Sequence, residues 1–154
     1  YTLFRIKYII DQKNKMKVYI YIFCLVFFLI SNVFGKTTYF EEGKVLFDQK
    51  KYLKSKFKFE KDIVFNPKSE LSYLFLAKIF NEEKKYDLEE QNLNTVILLN
   101  PKNEEAIFLL TLAKIRQSDY SESERLIKNF KKVCVNLCKK DIELANKLKN
   151  LQSQ

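Results

Sequence analysis

Tyr52, Tyr86 and Tyr120 stand at two successive intervals of 34 residues, and this recurrence limits the fold more tightly than any other feature of the chain. A second marker keeps the same interval. Asn66-Pro67-Lys68 and Asn100-Pro101-Lys102 each follow an apolar triplet, Ile63-Val64-Phe65 and Ile97-Leu98-Leu99. Two unrelated markers with one period imply duplicated units, because a period of about 20–50 residues is what stacked repeat architectures produce. Within each unit the apolar residues recur at helical spacing. Proline cannot continue a helix, so Asn-Pro closes the second helix of each unit, and Ser69 or Asn103 is placed to cap the next. Ser121 followed by Glu124 has the form of a capping box and predicts the start of the sixth helix. The pattern yields seven helices at roughly 37–48, 52–65, 70–82, 86–99, 103–117, 121–133 and 140–151, and no strand.

Composition closes most other routes. With two glycines, two prolines and no histidine in 154 residues, the chain lacks the turn residues that a sandwich, barrel or Rossmann sheet needs at its corners. Gly35 and Gly43 alone cannot build a Walker loop or a dinucleotide fingerprint. The lack of histidine removes zincin helices, Ser-His-Asp triads and Cys-His pairs. A carboxylate-based hydrolase needs only two facing acids and is the remaining enzymatic alternative. The acid pairs Glu41-Glu42, Glu82-Glu83, Glu89-Glu90 and Glu104-Glu105 are adjacent rather than facing, so no catalytic residue, cofactor or metal site is predicted.

The spaced residues resemble the tetratricopeptide repeat (TPR) family, whose unit of 34 residues is a pair of antiparallel helices. Residues 36–69 carry the signature as Tyr39, Gly43, Leu46, Tyr52, Ser55, Phe59 and Pro67, and residues 70–103 as Tyr73, Leu76, Ala77, Phe80, Tyr86, Leu93 and Pro101. Residues 104–137 form a degenerate third unit. There Ile107, Leu110, Tyr120, Ser123 and Ile127 fit, Thr111 and Lys114 replace the usual small and aromatic residues, and the closing proline is missing. Glu42 and Glu89 depart from the pattern too. The resemblance implies an all-α fold, a right-handed α-solenoid of antiparallel hairpins. Small residues such as Gly43 and Ala77 would let the second helix approach, and the tyrosine opening that helix would fill the turn. Each hairpin has one uncovered apolar face, so about three must stack. Residues 138–154 predict a terminal capping helix with Ile142, Leu144, Ala145, Leu148 and Leu151 on one side.

In this family the first helix of each unit lines a concave groove, which implies a protein-interaction role. Helical spacing would turn Phe40, Lys44 and Phe47, then Leu74, Lys78 and Asn81, then Phe108, Leu112 and Arg116 into that groove. Cations among apolar neighbours suit an extended peptide or helix carrying acidic groups. The alternative is that the lysines are only solvated and the aromatics only core. Some relatives grip a terminal carboxylate with an Asn, Lys and Arg constellation. Phe75, Glu105 and Leu109 stand where its later members would be, so chaperone-tail binding is not expected.

The amino terminus reads as a targeting segment. Met16 is the sole methionine, followed by Lys17, the apolar run from Val18 to Ile30, and Ser31-Asn32-Val33-Phe34-Gly35. This order matches a secretory signal peptide over 16–35, cleaved after Gly35, with a periplasmic or secreted product. The alternative is that 18–34 stays as an inner-membrane anchor, with the repeats facing the periplasm as a tethered assembly factor or scaffold. Residues 1–15 lie upstream of Met16 and read as upstream read-through or a non-native extension. Removing 1–35 leaves 23 basic and 18 acidic residues, a net charge of 23 − 18 = +5. Lys50, Lys51, Lys54, Lys56, Lys58 and Lys61, and then Lys128, Lys131, Lys132, Lys139 and Lys140, hold the excess. These suit an anionic membrane or an acidic partner, or are merely solvated; export argues against nucleic acid. Cys134 and Cys138 would be the two cysteines of an exported product, which permits a disulfide if the helix breaks near Asn136. A weak third unit would also allow end-to-end homodimers.

Overall fold

The computed structural model describes residues 38–152, and these hold seven helices and no strand. They are α1 (Thr38–Asp48), α2 (Tyr52–Phe65), α3 (Glu70–Glu82), α4 (Tyr86–Leu99), α5 (Glu104–Arg116), α6 (Tyr120–Val133) and α7 (Lys140–Gln152). Consecutive helices pack against one another, and α7 lies against both α5 and α6. The apolar run 18–34, the leader and its cleavage point lie outside the described residues.

Each hairpin turn is closed in one way. The backbone N–H of Lys51, Lys85 and Asp119 donates to the carbonyls of Leu46, Phe80 and Lys114, five residues back. The N–H of Lys50, Lys84 and Ser118 donates three residues back, to Phe47, Asn81 and Ile115. This double bond pattern needs a left-handed residue just past the helix, a place usually given to glycine. Here Lys50, Lys84 and Ser118 hold it, at φ of 57°, 57° and 60°. The strained position thus repeats at 34-residue intervals, two residues before each marker tyrosine. The chain tolerates the non-glycine penalty three times over.

The core divides into two apolar clusters that meet on α3. Leu76, Ile79 and Phe80 join Phe40 and Phe59 from the first hairpin. Leu74 and Ala77 of the same helix join Leu93, Val96, Ile107, Leu110, Leu126, Phe130 and Leu144 in the second. At Gly43 the first hairpin closes tightly. A Cβ placed there would come within 2.7 Å of Phe59 Cε1. The Ser55 hydroxyl donates 2.8 Å to the Gly43 carbonyl and seals the same contact.

Connections between hairpins rest on buried polar groups. Asn103 caps α5 as expected, its Oδ1 accepting from the Ala106 N–H at 2.8 Å. Ser69 occupies the cap position of α3 but gives no cap bond, because its hydroxyl donates 2.5 Å to the buried Asp62 carboxylate. Ser72 donates to that same oxygen at 2.5 Å, fastening the end of α2 to the start of α3. The capping box expected at Ser121 is not used. Helix α6 begins one residue earlier, at Tyr120, because the Asp119 carboxylate accepts from the Glu122 N–H at 3.2 Å. Pro67 and Pro101, expected among the packing residues, are exposed and act only as helix stops.

Two substitutions separate these effects. Gly43→Ala gains helix propensity yet must displace a buried ring, so it should destabilise the domain by about 1–2 kcal/mol net. Lys84→Gly relieves the left-handed turn and should stabilise it by about 1 kcal/mol. Thermal melts followed by circular dichroism give both signs.

Candidate functional site

The residues that could act on a ligand converge where the first helices come together. Phe47 of α1, Ala77, Lys78, Asn81 and Glu82 of α3, Glu89 and Leu93 of α4 and Leu109 of α5 line a pocket of about 230 Å³. Its apolar part is Phe47, Ala77, Leu93 and Leu109. The polar residues are Lys78, Asn81, Glu82 and Glu89. Phe47 is set by aromatic contacts, with its ring centre 5.0 Å from Phe75 and 5.5 Å from Tyr52. Two larger depressions, about 510 Å³ between α6 and α7 and about 570 Å³ on the outer side of α4, are shallower and span fewer helices.

Charge in the pocket is matched internally. Glu89 is 3% exposed, and its carboxylate accepts from Arg116 at 2.5 Å. Burial pushes the Glu89 carboxyl above the usual carboxylate range, while the Arg116 cation pulls it back. The Arg116 guanidinium also donates 3.2 Å to Asn81 Oδ1 and lies 3.9 Å over the Tyr86 ring. Lys78 Nζ is 2.7 Å from Glu105 and 4.8 Å above the Phe75 ring. Beside the pocket, Lys114 pairs with Glu90 at 2.6 Å. The carboxyl of Glu90 is held low chiefly by that bond.

Solved structures with the same helical stack carry domain labels. The chain is similar to the first TPR domain of Spaghetti (RPAP3) bound to an HSP90 peptide, at TM-score 0.66 and 19% identity over 74% of this chain and 90% of that one. It is similar to the TPR2B domain of yeast Sti1 in its Hsp70 complex, at TM-score 0.68 and 14% identity over 75% and 99%. The third is SycD, the type III secretion translocator chaperone of Yersinia enterocolitica, at 0.69 and 13% over 75% and 84%. The fold is a tetratricopeptide-repeat solenoid. No family model and no curated protein matches the sequence.

The TPR groove contains only part of the set expected from helical spacing. Phe47, Lys78 and Asn81 line the pocket, and Arg116 joins them through Asn81 and Glu89. Phe40 and Leu74 do not face a groove. Both are 3% exposed, because these positions turn toward neighbouring helices, Phe40 against Phe59 and Phe75 and Leu74 into the second cluster. Phe108 and Leu112 are half-buried against the second cluster, with the Phe108 ring 6.2 Å from Phe130 and Lys140 Nζ 5.3 Å over its face. Lys44 is exposed and makes no ion pair among the described residues. The expected row of ligand-seeking cations therefore shrinks, since Lys78 and Arg116 already have carboxylate partners. Sequence reasoning missed Ala77, Glu82, Leu93 and Leu109 as pocket walls. It noted Glu89 as a departure from the repeat and as one of an adjacent acid pair, and that misplaced acid was the available signal.

Cys134 and Cys138 are joined by a disulfide with Cα atoms 5.2 Å apart. Within the loop it closes, the backbone N–H groups of Leu137 and Asn136 donate to the Glu104 carboxylate at 2.7 and 3.0 Å. These donors, Leu137 foremost, hold the Glu104 carboxyl below the usual range. The bridge thus pins the α6–α7 junction to the start of α5.

Removing the partner of a buried carboxylate leaves it uncompensated, so Arg116→Ala should cost about 1–3 kcal/mol at pH 7. Because the folded Glu89 pKa lies above its unfolded value, ionising it costs stability as pH rises through the folded pKa. Loss of Arg116 raises that pKa further. The stability gap between the variant and the parent should therefore narrow as pH falls from about 7 toward 4.5, a trend that urea denaturation at several pH values measures.

Proposed function

We propose that this chain is an exported, non-catalytic TPR module that binds a peptide or helix of another protein in the pocket between α1, α3, α4 and α5. The observation that carries the reading is the pocket itself, an apolar floor from four helices with polar groups around it. Such a site accepts one large apolar side chain, while the polar groups orient the flanking backbone. Support comes from solved structures of this fold that hold peptides: TPR domains with HSP90 and Hsp70 peptides, and the chaperone SycD with a peptide of the translocator YopD. An acidic tail is not the favoured ligand. Lys78 and Arg116 are matched by Glu105 and Glu89, so a ligand carboxylate would have to displace one already in place. An apolar anchor with neutral or mixed polar flanks fits better. The Cys134–Cys138 bridge supports export, since disulfides persist in oxidising compartments. The leader reading of 16–35 is consistent with it, whether that segment is removed after Gly35 or kept in the inner membrane.

Selection of a random peptide library against the protein tests the site. The expected outcome is peptides sharing one large apolar residue, with amide shifts clustered at Phe47, Lys78 and Asn81. Asn81→Trp, which fills the mouth from a half-exposed position, should weaken them by about tenfold or more while leaving the helical spectrum unchanged. Enriched peptides that bind Asn81→Trp equally well would remove the pocket from consideration.

A further inference from the structure

Among the described helices, α2 carries the most exposed large apolar side chains. Leu53, Phe57 and Val64 form an apolar row along it, 74%, 54% and 74% exposed, and Phe65 at its end is 68% exposed. Lys54, Lys58 and Lys61 run alongside, Lys58 paired with Glu42 of α1, and Glu60 is the only acid of α2 itself on that side. The opposite side of the helix, Ser55, Phe59 and Asp62, is buried in the solenoid. Aromatic and cationic groups are interleaved at the edge next to α1. Lys61 Nζ stands 5.0 Å over the Phe57 ring and 5.3 Å over that of Tyr39, and Tyr39 stacks on Phe65 at 5.6 Å.

We infer that this face of α2 docks on the surface of an anionic lipid bilayer. An acidic protein would be matched by the lysines but would leave the apolar row unexplained, and an apolar partner would leave the lysines stranded. A bilayer interface takes both. Apolar and aromatic side chains enter the headgroup boundary, and each lysine near an anionic surface contributes favourably. The length of chain preceding the patch agrees with this. Tyr39 lies one residue inside α1. From Ile30, the end of the apolar run, the seven residues 31–37 reach at most about 25 Å, so retention of that run in a bilayer would keep the patch near the membrane. Docking does not require retention, since the contacts are those of the patch alone.

The chain contains no tryptophan, which makes the face easy to report on. Full-length protein carrying Phe57→Trp is compared with Leu98→Trp, a more exposed apolar site on α4, on phosphatidylcholine vesicles with and without phosphatidylglycerol. On anionic vesicles the Phe57→Trp emission should shift to the blue and be quenched by brominated acyl chains about twofold or more beyond Leu98→Trp. High salt, or Lys54→Glu with Lys61→Glu, should erase that difference. Equal signals from the two reporters on anionic vesicles would overturn the inference, and so would a shift indifferent to phosphatidylglycerol. A lipid-free blue shift that grows with protein concentration would assign the face to a second copy of the chain and overturn it as well. Peptide binding in the pocket is measured separately and is untouched by either result.

Discussion

Two-sided burial of α3 is the constraint on which the other packing depends. A lone hairpin cannot hide its apolar face, and the stack solves this by giving the middle helix two cores to serve. Leu76, Ile79 and Phe80 belong to one and Leu74 and Ala77 to the other. These residues occupy so much of the helix surface that only a narrow polar strip remains. Lys78, Asn81 and Glu82 come from that strip. The functional surface is therefore what stacking leaves over. Its position follows from the core and not from any separate device.

Helix number and turn positions were legible because they depend on local chemistry. Asn-Pro stops a helix wherever it falls, and the tyrosine interval marks each new one. The tight approach at Gly43 was likewise readable, since a residue without a side chain inside a helix needs a reason. Other features depend on partners distant in sequence. Asp62 meets Ser69 and Ser72 only once α2 and α3 are oriented. The left-handed turns were hidden because Lys50, Lys84 and Ser118 are not residues that advertise such a conformation.

The groove shows why spacing alone misassigned some residues. A nine-residue list drawn from one helical face treats positions 40 and 74 as exposed, whereas neighbouring helices cover both. Phe40 and Leu74 went to the core for that reason. Two of the departures from the repeat pattern, Glu89 and Lys114, are each charge-matched across the α4–α5 contact. Glu89 pairs with Arg116, and Glu90 pairs with Lys114, one of the residues that made the third unit look degenerate. A carboxylate where a small side chain is usual, together with cations on the next helix, is a substituted interface. The ion pairs join α4 to α5 between the second and third hairpins, where apolar contact alone would be less specific about register.

Matched charge also bears on how the two candidate surfaces divide the work. In the pocket the cations are spent on carboxylates of the same chain, which leaves shape and apolar contact to select a ligand. On α2, Lys54 and Lys61 have no carboxylate ion-pair partner among the described residues, and Lys58 has Glu42. Long-range attraction therefore belongs to the α2 face and short-range selection to the pocket. No residue of α2 lines the pocket, so a bilayer and a peptide would not compete for the same side chains. A module held by its second helix would keep the grooved first helices open to a partner.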